Sequence, residues 1–599
     1  MDRLRHAIGT LSSARAMQRL RLALIAGAVA TGALDTWFYR QWNLNPDGVS
    51  YFDLARAFVA HGPEALVNGY WSPLYPAFIG TALGVFSPGP DWIYPMVRVL
   101  GFAVYLLTIV AFDRLVRVSI LSRLPGHETD RWLAPVILVT AWGLFFLLVS
   151  QAIGLFLATP DMGVAAIVLF VATELFELST APWRTSRWIR LGVVLGIGYW
   201  WKAILFPVGA VTLVVASVVA WRRRDPARGM LSGGVAFALL SLALAVPISR
   251  QVGRVTFGET GRLNQIWYVN NGPRVSTLCI SPVGRLDQSR SGLIPKATML
   301  LERPLTCGMP DRWPEATLPI WYDPSPWYAE ASARVDVRET LVAFRNDVRF
   351  LRDALAEIAP LASIALVALL AIAVAARAPI GNGSAAVVMS VVAIGAYLVV
   401  YVELRHVVPF LLCIALAAFG AIAAQPSRWA RIGLLVLAAA TIVDGGIRLA
   451  RQQRVEFAIA VHAMAGRPMG EQVSVVVARE LQRRGLSRGD RVAAINTLWN
   501  VEWAQRVGLV VRAYVPDLTY PIPRAFTELG DACIRDDFVD SMKRERIQAV
   551  VVKGAPGFAT PDWFDPLGDT GWGVHVLGDG PLRGVDCTAS SSPQSRGRS

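Results

Sequence analysis

Asn45-Pro46-Asp47-Gly48-Val49-Ser50-Tyr51-Phe52-Asp53 follows closely on an apolar run over residues 22–38. The two together frame the chain: a membrane span, then a carboxylate just outside it. With Pro46 as the first helical residue, Asn45 is a suitable N-cap and Asp47 falls in the first turn. The positive end of the helix dipole favours an ionised Asp47 there. Helical spacing sets Ser50 and Tyr51 on the face of Asp47, three and four residues on, and turns Asp53 elsewhere. The plain alternative is a turn leaving a transmembrane helix.

The rest of the chain favours chemistry at this stretch. Of 599 residues, 54% are hydrophobic and only 17% are charged. A soluble domain has roughly 45–50% apolar residues and about a quarter charged. Long apolar runs recur, so a polytopic membrane protein is expected. The net charge of +14 is then a matter of topology. No basic patch is interleaved with aromatics, and no nucleic-acid partner is expected.

Residues 1–21 carry Arg3, Arg5, Arg15, Arg19 and Arg21 against Asp2, which places the N-terminus in the cytoplasm. Ala28-Val29-Ala30 also resembles a signal cleavage site, but the many later spans argue against it. Spans are expected at about 22–38, 92–116, 132–149, 162–176, two shorter ones within 191–220, then 230–248, 358–375, 385–402, 407–423 and 432–447. Basic loops with Arg114, Arg117, Arg123 and Arg131, with Arg184, Arg187 and Arg190, with Arg222, Arg223, Arg224 and Arg228, and with Arg428 and Arg431 fall on one side. The expected fold is therefore a mainly α bundle of about 11 spans.

Large external loops are expected at about 40–91 and 249–354. Residues 74–86 are apolar but short, and read as re-entrant or interfacial. The stretch 254–271 sets Trp267 and Tyr268 among Asn264, Asn270 and charges, a mixture suited to sugar recognition or to a loop core. Residues 450–588 alternate strand and helix signals, with strands at 491–495, 510–515, 549–552 and 574–577, and read as an external small α/β domain. Asn496-Thr497-Leu498-Trp499 stands where a phosphate-binding Gly-rich loop would be, so nucleotide binding is not expected. Residues 589–599 are Ser-rich and read as a disordered tail. Cys413 sits in an apolar run. Cys279 and Cys307 share one hydrophilic stretch, Cys533 and Cys587 another, and their disulfide pairing is left open.

Several features taken together resemble the GT-C membrane glycosyltransferases of the protein-mannosyltransferase and aminoarabinose-transferase kind. Asp47-Gly48-Val49-Ser50-Tyr51 is similar to the first-loop catalytic acid. Thr159-Pro160-Asp161, opening the fourth span, resembles a second-loop acid. Residues 196–202 resemble a Gly-rich helix ending in a lysine, Lys202. Glu403-Leu404-Arg405-His406-Val407-Val408-Pro409-Phe410 is similar to a late glutamate–arginine–tyrosine–proline pattern, with His406 where a tyrosine is common. The tail resembles soluble domains that close some bacterial members.

The resemblance covers most of residues 20–447 and implies a bacterial cytoplasmic-membrane enzyme with a periplasmic C-terminal domain. Its donor would be a polyprenyl-phosphate sugar and its acceptor a glycan, a lipid or a protein. Asp47 would be the general base; Tyr51, Asp53, Asp161, Lys202, Glu403, Arg405 and His406 would bind donor or acceptor. Arg405 or Lys202 would meet the phosphate charge. The structural alternative pairs Glu403 with Arg405 and lets Lys202 snorkel to the surface. No cofactor is expected. The histidines show no metal-ligand spacing, although some members of the group use a divalent metal. A secondary transporter and a membrane-anchored binding or sensor protein are the competing readings; the transporter predicts an internal repeat, and none is evident.

Overall fold

The computed structural model describes residues 14–42, 44–121, 132–178, 183–272, 298–309, 316–329, 331–375, 383–424, 427–464, 472–497, 499–515, 522–555 and 560–578. Arg123, Arg131, Cys279, Cys587, Leu498 and the tail 589–599 lie outside the described residues. The chain divides into two compact units. One comprises Met1–Trp42, His61–Gly272 and Ser332–Met469; the other comprises Asn43–Ala60, Pro273–Ala331 and Gly470–Ser599.

The first unit is helical. Among the described residues, seven helices are long and apolar enough to cross a membrane: Arg15–Phe38, Ile93–Ser119, Leu133–Ile153, Leu205–Arg222, Ala227–Val252, Leu404–Ala424 and Arg428–Gln452. Helices also occupy the other expected positions, at Asp161–Leu178, Thr185–Trp201, Pro360–Ala375 and Ser384–Leu398. The first of these carries Asp161, Glu174 and Glu177; the other three have 15–17 residues. At about 1.5 Å per residue, such helices fall short of a hydrocarbon core about 30 Å thick. The short apolar run at 74–86 is a helix, Leu74–Phe86.

Two features of this unit fix helix ends. Gly192 on one helix meets Gly233 on another, Gly196 faces Leu240 and Gly229 faces Trp188, so small residues let these helices approach closely. A Cβ at Gly192 would stand 2.1 Å from the carbonyl oxygen of Gly233, and one at Gly233 would stand 2.7 Å from that of Trp188. This contact holds Thr185–Trp201, whose last residue precedes Lys202. The opposite end of the bundle is tied by ion pairs. Glu174 meets Arg190 (2.7 Å) and Arg114 (3.2 Å), Glu177 meets Arg187 (2.9 Å), and Asp113 meets Arg21 (2.5 Å). The structure places all four arginines on helices: Arg21 on Ala14–Phe38, Arg114 on Ile93–Ser119, and Arg187 and Arg190 on Thr185–Trp201.

The second unit is built on a seven-stranded sheet of order β1-β2-β4-β3-β5-β7-β6. Its strands are β1 (Thr298–Glu302), β2 (Leu305–Gly308), β3 (Arg491–Ile495), β4 (Val510–Val515), β5 (Ala549–Lys553), β6 (Asp565–Pro566) and β7 (Trp572–Val576). The central β4-β3-β5 strands run parallel. Ala493, Ile495, Val550 and Val552 alternate onto one face and pack with Phe526, Leu529, Phe538 and Met542.

The sequence reading treated residues 249–354 as one external loop and began the tail domain at 450. In the structure, that loop is divided. Residues up to Gly272 belong with the helices, whereas 273–331 belong with the sheet. The physical reason is pairing: β2 adds antiparallel to β4, with Cys307 opposite Tyr514, and Val511 donates its N–H to Thr317 O (2.9 Å). Cys307 and Cys533 each take part in a disulfide, and Cys413 is a buried free thiol.

Candidate functional site

The helix Asp161–Leu178 starts where Pro160 cannot extend a helix backwards, so Asp161 takes the first helical position and faces the positive end of the dipole. Trp201 locks that start. Its indole Nε1 donates to Pro160 O (2.6 Å), and its ring lies where a Cβ on Gly163 would be 2.2 Å away. Trp201 ends its own helix, and Lys202 leaves it in extended conformation while still donating its N–H to Gly198 O (2.9 Å). That turn delivers the Lys202 ammonium to the carboxylate of Asp161, with which it forms an ion pair.

The second cation comes from the start of Leu404–Ala424. Arg405 Nε stands 2.6 Å from Glu403 Oε2 and 3.5 Å from Asp161 Oδ2. Glu403 Oε1 accepts the hydroxyl of Tyr401 (2.5 Å), and Tyr401 stacks on Tyr268 with ring centroids 4.0 Å apart. His406 Nδ1 accepts the Glu403 N–H (3.3 Å), and its ring stacks on Tyr397 at 4.9 Å. Asp161 is 3% exposed, while the Arg405 side chain is 12% and the Lys202 side chain 21% exposed. The acid is thus sealed in and the cations reach outward. Chemically, the arrangement sets two partly exposed cations beside a buried carboxylate, with Glu403, 30% exposed, balancing the formal charge.

Asp161, Lys202, Glu403, Arg405 and His406, singled out from three separate stretches of the sequence, therefore form one cluster. They sit at helix ends opposite those that carry the arginine ion pairs. Asp47, Tyr51 and Asp53 lie in the other unit, on the helix Pro46–His61. Asp47 is half-buried in its first turn, and Val49 donates its N–H to Asn45 O (3.0 Å). Tyr51 is buried, and Ser50 donates to Trp321 O (3.0 Å). Asp53 accepts from Thr317 at both oxygens, the backbone N–H at 2.7 Å and the hydroxyl at 3.0 Å. Those bonds anchor the helix within its unit. Among the described residues, no three His, Cys, Asp or Glu side chains are grouped to hold a metal ion.

Sequence reading passed over Arg98. It lies in the second span, is 1% exposed, and donates to Leu155 O (3.3 Å) and Trp42 O (3.1 Å). An arginine within an apolar span was the available signal, since such a group is expensive in a bilayer unless it is held. Tyr397, Tyr401 and Trp201 are not singled out by sequence, because aromatics in a membrane protein are too common, and Tyr268 is marked there without a link to this cluster. Tyr268 is brought in by a π-helical turn, Gln265–Val269, which sequence does not announce.

No family model matches the sequence, and no curated protein matches it. Solved structures that align over most of its length include the following. ArnT from Cupriavidus metallidurans in the apo state is 13% identical with TM-score 0.35, covering 89% of this chain and 93% of that one. The same protein bound to undecaprenyl phosphate is 15% identical with TM-score 0.37, covering 92% and 97%. The Archaeoglobus fulgidus oligosaccharyltransferase in the apo form is 11% identical with TM-score 0.41, covering 89% and 69%.

Proposed function

We propose that this chain is an inverting membrane glycosyltransferase of the GT-C type. It transfers a sugar from a polyprenyl-phosphate donor to a glycan, lipid or protein acceptor at the outer face of a bacterial cytoplasmic membrane. The observation that carries the reading is the buried Asp161 bracketed by Lys202 and Arg405 at helix ends opposite the arginine-rich end. A lipid-linked donor presents its phosphate at such a level, with its chain in the bilayer.

The chemistry follows from charge. The acceptor oxygen attacks the anomeric carbon as the bond from that carbon to the phosphate oxygen breaks. Polyprenyl phosphate leaves with the bonding pair, and Lys202 and Arg405 meet the charge it gains. Asp161 and Glu403 hold those cations in place. The acceptor proton passes to a carboxylate within hydrogen-bond reach, about 2.6–3.2 Å. Asp47 is assigned this role from its place in a helix's first turn, directly after the first span.

The test is sugar transfer by the purified chain in lipid from a panel of polyprenyl-phosphate sugars, wild type beside Asp47→Asn. Turnover by wild type with a loss of about 10²–10⁴-fold in the variant supports both class and base. Equal turnover retains the class and moves the base to Asp161 or Asp53. Absence of transfer from every donor, with solute movement across the bilayer by the same preparation, overturns the reading in favour of transport.

A further inference from the structure

The helical unit contains a cavity of about 360 Å³ whose lining includes Tyr268, Asn271, Asp336, Arg338, Glu339 and Asn346. This volume falls within the roughly 300–1,000 Å³ of ordinary small-molecule sites. Its walls are built rather than incidental. One comes from the π-helical turn Gln265–Val269 and the residues after it. There Asn270 donates its N–H back to Gln265 O (2.9 Å), and Asn271 adopts a left-handed conformation with φ of 50°. The other is the first part of the helix Val337–Ile358, capped by Asp336, whose side chain accepts the Glu339 N–H (2.9 Å). The walls are joined by hydrogen bonds: Asn270 Nδ2 donates to Glu339 Oε2 (2.9 Å) and to Arg334 O (3.0 Å), and Arg334 N–H donates back to Asn270 Oδ1 (3.0 Å).

The lining chemistry selects its ligand. A pyranose has an apolar C–H face and a polar rim of hydroxyls. Tyr268 supplies an aromatic surface for the first, while amides, carboxylates and a guanidinium supply donors and acceptors for the second. Asp336 and Glu339 outweigh Arg338 in charge, so a phosphate is disfavoured and a neutral sugar is not. The cavity is also linked to the cation cluster. Tyr268 stacks on Tyr401, Tyr401 donates to Glu403, and Glu403 holds Arg405.

We infer that this cavity is a saccharide subsite that takes a neutral sugar unit of the acceptor. The inference rests on the glycosyl-transfer reading and makes the acceptor a glycan or glycolipid. The donor's phosphate belongs with Lys202 and Arg405; the acid-weighted cavity is left for the partner that carries no phosphate.

The experiment is saturation-transfer NMR on the full chain in nanodiscs. The probes are methyl glucoside, methyl N-acetylglucosaminide and methyl arabinoside, with glycerol as a control and inorganic phosphate, which has no C–H proton to report, added as a competitor. Wild type is compared with Asn346→Trp, which fills the cavity from an exposed position, and with Tyr268→Ala and Tyr268→Phe. The expected result is glycoside contact in wild type and in Tyr268→Phe. It falls roughly tenfold in Asn346→Trp and Tyr268→Ala, the effect of losing a stack with its polar contacts. Contact absent from wild type, contact that survives Asn346→Trp, or glycoside contact abolished by added phosphate would overturn the subsite. The readout needs no turnover, so the two readings fail separately. Glycoside contact at this cavity without transfer from any donor sinks the transferase reading and the acceptor assignment with it. An active transferase whose glycoside contact ignores Asn346→Trp sinks the subsite alone.

Discussion

Asp161 among the helices and Asp53 beside the sheet are both almost wholly buried, at 3% and 1% exposure, yet they are held by different means. Asp161 is held by charge, with Lys202 and Arg405 around it. Asp53 is held by the neutral N–H and hydroxyl of Thr317. A neutral cradle satisfies a carboxylate and leaves nothing over for a ligand. A cationic bracket whose members reach the surface has charge to offer an incoming anion. The comparison separates an acid that organises chemistry from one that fastens a helix, although a sequence shows only two aspartates near apolar runs.

The strongest way to break this contrast is at Asp161. Asp161→Asn keeps the shape, leaves Lys202 without its acid and leaves Arg405 with Glu403 alone. Transfer is expected to fall by about 10² or more, the scale of removing an electrostatic element from a preorganised site. The loss should appear in the rate from saturating donor, with the bundle still folded by circular dichroism. A variant with unchanged turnover would reduce the cluster to a structural ion pair.

Asp53→Ala should do the reverse. Losing two hydrogen bonds to a buried charged group costs about 2–4 kcal/mol in the stability of the sheet unit. The measurement is the denaturant midpoint, followed by intrinsic tryptophan fluorescence, alongside turnover per folded molecule. Turnover per folded molecule should be retained. A collapse of turnover with stability intact would return Asp53 to the list of substrate-binding residues.

The contrast also explains what was legible beforehand. The positions of the membrane helices follow from apolar runs, and the β3, β4 and β5 strands from short β-branched stretches bounded by turns. The cluster of Asp161, Lys202 and Arg405 was legible because ionisable residues beside apolar runs are conspicuous. Its aromatic surround was not, because Tyr268 reaches Tyr401 through a π-turn and a stack between residues far apart in sequence. Nor was the strand pair β1 and β2, which is given its place by a neighbour about two hundred residues on. Asn496, marked as standing in place of a phosphate loop, donates its side-chain amide to Lys553 O (2.9 Å), a bridge that pins the end of β3 to the end of β5.

A third kind of buried acid sharpens the comparison. Glu502 in the sheet unit is buried with neither a cationic bracket nor a Thr317-like cradle, and desolvation pushes its carboxyl up to about 7. Its own backbone N–H, Arg506 and Lys553 pull the other way and only partly offset that push. The folded state then keeps a proton that the unfolded chain releases near pH 4.5, so stability falls as pH rises through this window. Glu502→Gln should match wild type at pH 4.5 and below. At pH 8 it should be more stable by about 1–3 kcal/mol, read from unfolding midpoints at both pH values. A variant equally stable at both would mean that the carboxylate is ionised in the fold and accommodated there.

The smallest effect tests how far the cationic cluster extends. Tyr401 donates to Glu403 at 2.5 Å, and Glu403 in turn holds Arg405 at 2.6 Å. Tyr401→Phe removes the hydroxyl and keeps the ring on Tyr268. One hydrogen bond to a carboxylate is worth about 1–2 kcal/mol, so the rate should fall several-fold up to roughly tenfold. Because Glu403 still forms an ion pair with Arg405, the guanidinium loses orientation rather than its partner, and the change should appear in kcat with thermal stability little altered. Tyr401→Ala should add the loss of the stack and weaken the glycoside contact as well. A Tyr401→Phe loss as large as that of Asp161→Asn would place the hydroxyl itself in the reaction, and the line between the charged centre and its neutral support would have to be redrawn through Tyr401.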